Sequence, residues 1–120
     1  MKEFKKSLVC ACRGFRYMVK SERNFRIELA IAFLVLFLIF IFQVKSWEAV
    51  ILTLVIMWVI AAEIINTVLE RVVDILKPRI HPYARLIKDM MAAVVLVSSL
   101  AAAIVGIIIF LSYFRGLFGG

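Results

Sequence analysis

Three apolar runs constrain this chain more than any other feature: about Leu29 to Val44, about Trp47 to Leu69, and about Met90 to Phe114. The second carries a single charge, Glu63, once past Glu48, and the third carries none. A helix rises about 1.5 Å per residue and a bilayer's hydrocarbon core is about 30 Å thick, so each run is long enough, or nearly so, to cross it. A chain of 120 residues that is 65% hydrophobic is built for lipid rather than for a water-facing surface. The expected fold is an all-α integral membrane protein forming one domain over 1–120, with spans at about 29–45, 47–69 and 90–114. The first span is the shortest and has Arg26 and Glu28 before it and Lys45 after it, so it should stand nearly upright or be stretched by snorkelling side chains.

The net charge of +7 does not point to nucleic acid, because the basic residues flank the apolar runs and form no groove-lining run with interleaved aromatics. Eight Lys and Arg precede the first run, and Arg71, Lys77, Arg79, Arg85 and Lys88 lie between the second and third. Only Lys45 and Arg115 fall on the other side. Thirteen against two is a strong positive-inside asymmetry. It predicts a multi-pass plasma-membrane protein with a cytoplasmic N-terminus, a cytoplasmic loop between the second and third spans, and the C-terminus outside.

Charges interrupt residues 1–26 too often for a span. Phe4, Leu8, Ala11, Phe15 and Met18 recur at helical spacing, with Lys5, Lys6, Arg13, Arg16 and Lys20 on much of the remaining surface. The pattern predicts an amphipathic helix lying on the inner leaflet; a plain basic tail would not need the stripe. Cys10 and Cys12 stand two apart, so on a helix they point to different faces and make neither a disulfide nor a metal pair. The first apolar run begins too far in and runs too long for an ordinary signal peptide, and no A-x-A pattern follows it.

Glu63 carries the chemical argument. A carboxylate deep in a span costs at least about 2.5 kcal/mol to insert, so by default it faces protein or a water-filled site. At 100° per residue, Asn66, Thr67, Glu70 and Asp74 fall on nearly the same face, giving a polar stripe from inside the bilayer to its cytoplasmic surface. Like charges stacked on one face repel, and an oxygen-ligated divalent cation such as Mg²⁺ would offset that repulsion. Taken alone, Glu70 and Asp74 also read as solvated carboxylates at a helix end, and Glu22 and Glu28, on either side of Arg26, as acidic residues favouring a helix N-terminus. Lys88, beside Asp89 at the start of the third span, either snorkels or holds a phosphate oxygen. His81 stands in the basic loop with Arg79 and Arg85, where a solvated surface residue is the plainer reading. No G-x-x-x-x-G-K-[ST] occurs, so any nucleotide chemistry uses another design.

The run from Ala62-Glu63 through Asn66-Thr67, Glu70-Arg71 and Val72-Val73-Asp74, followed by His81-Pro82 and by Lys88-Asp89-Met90-Met91-Ala92-Ala93, resembles the signature of the prokaryotic diacylglycerol kinase family. Glu22-Arg23-Asn24-Phe25-Arg26 is similar to that family's segment ahead of its first span, and the likeness covers nearly the whole chain. The resemblance implies a homotrimeric lipid kinase with three spans and a surface helix per subunit, using ATP and Mg²⁺ on a membrane lipid alcohol. It implies Glu63 as the base, Glu22 and Glu70 as Mg²⁺ ligands, Asn66 in support, and a nucleotide site drawn from Cys10, Glu22, Glu70, Asp74, Arg79, Ile80, His81, Lys88 and Asp89. Cys10 stands where the family commonly has a tyrosine, and Met90 and Met91 where relatives often have a small residue. The short N-terminal arm and His81-Pro82 resemble the Gram-positive branch, similar to undecaprenol kinases, which ranks undecaprenol above diacylglycerol as acceptor. Two other classes stand against the kinase. A small oligomeric transporter can also carry one intramembrane glutamate, but such proteins have four spans with the glutamate in the first. A non-enzymatic anchor would leave Glu63 without a purpose.

Overall fold

In the computed structural model, which describes residues 1–119, the chain forms α1 (Lys2–Ser21), α2 (Arg23–Phe42) and α3 (Ser46–Leu117). No strand occurs among the described residues; Gly120, at the expected outer end, lies outside them.

Helix α1 is shorter than the expected 1–26. Glu22 takes an extended conformation (φ −113°, ψ 113°), and its N–H donates back to Met18 O at 2.9 Å. The Arg26 guanidinium, one turn into α2, donates to Val19 O at 2.9 Å and Lys20 O at 3.1 Å. A helix end leaves its last carbonyls without partners; here a side chain from the next helix satisfies two of them and fixes the corner. Phe25, the one large side chain fully buried, packs edge-on against Phe15 with ring centroids 5.2 Å apart. The corner thus joins α1's apolar stripe to the base of α2.

Helix α2 runs on to Phe42, three residues short of the expected end of the first span. Gln43 ends it in the left-handed region (φ 49°), and Val44 N–H reaches back to Ile39 O at 3.2 Å, satisfying a carbonyl of the last turn.

Helix α3 corrects the sequence reading most. A straight helix of its 72 residues would measure roughly 108 Å, yet the molecule's longest extent is 60 Å. The helix folds back on itself. Tyr113 meets Glu48, Trp58 Nε1 donates to Ser98 Oγ at 2.9 Å, and Lys88 Nζ meets Asp74 Oδ1 at 2.7 Å. All three pairs are centred within about three positions of Ile80, the register of an antiparallel helical hairpin. Ile80 is non-helical (φ −112°, ψ 20°) and stands between Pro78 and Pro82. Each proline lacks the N–H that the carbonyl four residues earlier would accept, and its ring crowds that carbonyl, so two prolines four apart break the helix between them. The segment expected as a loop is therefore helical on both sides of one residue, and His81 opens the second limb rather than sitting in a loop.

At the far end of the hairpin, Leu52, Ile109 and Phe110 form a buried cluster that Val35, Leu38 and Phe42 of α2 pack against. Phe42 lies 5.0 Å from the Phe114 ring and 6.0 Å from that of Tyr113. Tyr113 O–H donates to the buried Glu48 Oε1 at 2.5 Å and accepts from Lys45 N–H at 3.2 Å, tying the α2–α3 connection to the end of the second limb. Tyr113→Phe removes the donor and leaves a buried acceptor unpaired, which is expected to cost about 1–3 kcal/mol. Thermal unfolding in detergent should show a lowered Tm, with the Trp58–Ser98 contact unaffected.

Many apolar side chains face outward; Phe33, Leu54, Trp58 and Ile108 are each about two-thirds exposed. Two helices are long and apolar enough to cross a membrane, and α3 supplies such a length in each limb. An apolar exterior of this extent is stable only in lipid or against other protein.

Candidate active site

The helical period of α3's first limb sets one wall of the site. Glu63 and Thr67 are nearly sealed, at 3% and 2% exposure, while Asn66 and Glu70 are half-buried beside them. Asn66 Nδ2 donates to Glu70 Oε1 at 3.3 Å, a bond that the four-residue spacing permits.

The α1–α2 corner sets the opposite wall. It brings Glu22 and Glu28 to α3, so that Glu63 lies within electrostatic reach of Glu22, Glu28 and Glu70. Arg71 bridges the walls: its Nη2 contacts Glu22 Oε1 at 2.8 Å, its Nε donates to Tyr17 OH at 3.2 Å, and its Nη1 stands 4.0 Å from Glu70 Oε2. The guanidinium's hydrogen bond and charge hold the Tyr17 phenol below its usual range. Further toward the turn, the hydrogen bond from Lys88 holds the Asp74 carboxyl below its usual range.

Three buried oxygens around Glu63 have no hydrogen-bond partner: Glu28 Oε2, Asn66 Oδ1 and Thr67 Oγ1. Buried polar atoms are nearly always paired, so three orphans beside a buried carboxylate mark a place shaped for something more than protein. From Glu28 an apolar groove of about 550 Å³ runs along α2 and both limbs, past Ala32, Val59, Ala103 and Gly106 to Phe114. It offers an apolar chain a path that ends at Glu28, the one carboxylate of the cluster that lines it.

Among the described residues, no three acidic, His or Cys side chains converge closely enough to hold a metal ion by themselves. Glu22 and Glu70 share the Arg71 cation, and two carboxylates are a number that Mg²⁺ commonly accepts, its shell being completed by phosphate and water.

The structure thus brings together Glu22, Glu63, Asn66 and Glu70, with the Asp74–Lys88 pair beyond them. Among the described residues, no hydrogen bond or ion pair joins Cys10, Arg79, Ile80, His81 or Asp89 to this cluster. Cys10 is exposed on α1. Arg79 and His81 flank the break at Ile80, roughly 25 Å along the limb from Glu63. Sequence reasoning gave Glu28 and Arg71 no part in the site, reading them as a helix N-terminal acid and a flanking basic residue, and did not single out Tyr17. Glu28 was legible: with Phe25 and Ala32, the buried residues of α2, it falls at helical spacing on one face. Tyr17 and Arg71 carried no such signal, since their meeting depends on how α1 docks against α3.

Apolar helices folded into a hairpin, with a carboxylate cluster beside an apolar groove, define a helical membrane protein with an acidic site. A family model for prokaryotic diacylglycerol kinase matches residues 9–110. The chain is 35% identical over 111 residues to an undecaprenol kinase of Bacillus subtilis, covering 92% of this chain and 90% of that protein. It is 33% identical over 97 residues to a diacylglycerol kinase of Synechocystis, covering 80% of this chain but only 55% of that protein. The chain belongs to the prokaryotic diacylglycerol kinase family.

Proposed function

We propose that this protein is a membrane lipid kinase that transfers the γ-phosphate of ATP to the hydroxyl of a lipid alcohol, with undecaprenol as the acceptor. The observation that carries this reading is the buried Glu63, within electrostatic reach of Glu22, Glu28 and Glu70, with Glu28 at the end of an apolar groove. A lipid lying in that groove would present its hydroxyl at the level of Glu63.

In this mechanism Glu63 accepts the hydroxyl proton as the lipid oxygen bonds to the γ-phosphorus and the bond to the β–γ bridging oxygen breaks, releasing ADP. Glu22 and Glu70 would hold Mg²⁺, and the ion would supply neutralisation of the phosphate charge. Asn66 keeps Glu70 in place through its hydrogen bond. Lys88, with Asp74 and Asp89, contacts the nucleotide between Glu70 and the turn, and Arg79, Ile80, His81 and Cys10 lie toward its adenosine end. The order Glu63, Glu70, Asp74–Lys88, turn runs from apolar to polar surroundings, which suits a lipid at one end and a nucleotide at the other.

The basic-residue asymmetry supports a plasma-membrane protein with a cytoplasmic N-terminus, three crossings and an outer C-terminus. Small residues at Ser99, Ala102, Ala103 and Gly106, which also line the groove, let helix backbones approach closely, which supports a homo-oligomer; the family resemblance favours a trimer. The transporter reading rested on a lone glutamate; three further carboxylates within reach of Glu63, and the family, favour phosphoryl transfer.

The test is phosphorylation with labelled ATP of undecaprenol, diacylglycerol and ceramide in mixed micelles. Undecaprenol is expected to give the highest kcat/KM. A preference for diacylglycerol would move the acceptor to the alternative suggested by the Synechocystis relative, and no transfer to any alcohol would overturn the kinase reading.

A further inference from the structure

Arg71 has no part in the proposed mechanism, yet its side chain leaves the face of α3 to reach the α1–α2 corner. There it meets Glu22 at 2.8 Å, stands 4.0 Å from Glu70, and is steadied by the Tyr17 hydroxyl at 3.2 Å. These two carboxylates are the pair assigned to the metal. A guanidinium has five donors, no acceptor and a permanent charge, so it cannot join a metal's shell, and its charge on these carboxylates opposes a cation that would use them.

We infer that Arg71 and Mg²⁺ compete for the carboxylates of Glu22 and Glu70, so that metal binding displaces the guanidinium. The inference rests on the proposed Mg²⁺ role of those residues. Arg71 brings positive charge to Glu22 and Glu70, the two carboxylates whose charge acts on Glu63, and holds the α1–α2 corner against α3. Its side chain is 45% exposed, so water screens the pair and the guanidinium can swing away. The same positive charge opposes an arriving cation. The metal requirement is therefore set by competition as well as by the strength of the two carboxylates, and Tyr17 acts as a positioning residue that favours the closed arrangement.

The experiment is binding of Mn²⁺ alone, followed by its electron paramagnetic resonance signal, to the full chain in nanodiscs without nucleotide. Arg71→Ala and Arg71→Gln are expected to bind Mn²⁺ about three- to tenfold more tightly than the unmodified protein. Arg71→Lys, which keeps the charge but loses the fork, should fall between. Tyr17→Phe frees the guanidinium without touching a carboxylate and should tighten Mn²⁺ about twofold, an effect available even if the Arg71 variants fold poorly. Glu22→Gln should weaken Mn²⁺ whether or not Arg71 is present. Binding by the unmodified protein that is unchanged or weaker in the Arg71 and Tyr17 variants would overturn the inference and leave the metal reading standing. Absence of Mn²⁺ binding in every variant would overturn both.

Discussion

Glu63→Gln is expected to lower phosphoryl transfer about 10²–10⁴-fold while leaving Mg·ATP binding within about twofold of the unmodified protein. A general base acts on a proton in the transition state and adds little to ground-state affinity, so its loss appears in kcat and not in nucleotide Kd. The substitution preserves shape and removes a charge from a side chain only 3% exposed, at a site where three other carboxylates repel it. Thermal stability in detergent should therefore hold or rise, which separates a catalytic loss from a folding loss. Turnover and ATP titrations on one preparation check this. Normal turnover in Glu63→Gln would remove the base from the mechanism and with it the main reason for placing chemistry on this face of α3.

Glu70→Gln should fail differently. Losing one of two protein carboxylates from the metal's shell weakens Mg·ATP binding, and excess Mg²⁺ should partly restore turnover because mass action opposes the lost affinity. At low Mg²⁺ the deficit is expected to be on the order of tenfold or more, since a hydrogen-bonded charge contributes about 1.5–3 kcal/mol. The substitution also changes the acceptor of the Asn66 hydrogen bond and removes the more distant partner of Arg71. Turnover measured across a Mg²⁺ series, with and without Glu70→Gln, distinguishes the roles. An unchanged Mg²⁺ dependence would return Glu70 to the status of a solvated carboxylate near a membrane boundary.

Membrane character and the helical class were legible because they depend on local pattern. An apolar run of twenty-odd residues needs lipid wherever it folds, and the 3.6-residue period alone sets Glu63, Asn66, Thr67 and Glu70 along one face of α3. The same period makes α1 amphipathic, with Phe15 and Met18 on the stripe that meets α2. Gln43 as a left-handed helix end was not legible, because the cap depends on where the next helix must start.

What tertiary structure alone decided are the meetings of residues far apart in the chain. The two prolines break α3 at Ile80, but the return of the second limb is fixed by Trp58 with Ser98 and Tyr113 with Glu48, forty and sixty-five positions apart. The end of α1 at Ser21 depends on Arg26 reaching back to two carbonyls. Glu22 becomes a partner of Arg71 only when that corner docks on α3, forty-nine residues away. Sequence periodicity reports which residues of one helix share a face; it carries no information on which face of another helix will lie opposite, because that is set by packing and long-range electrostatics across the whole assembly of helices.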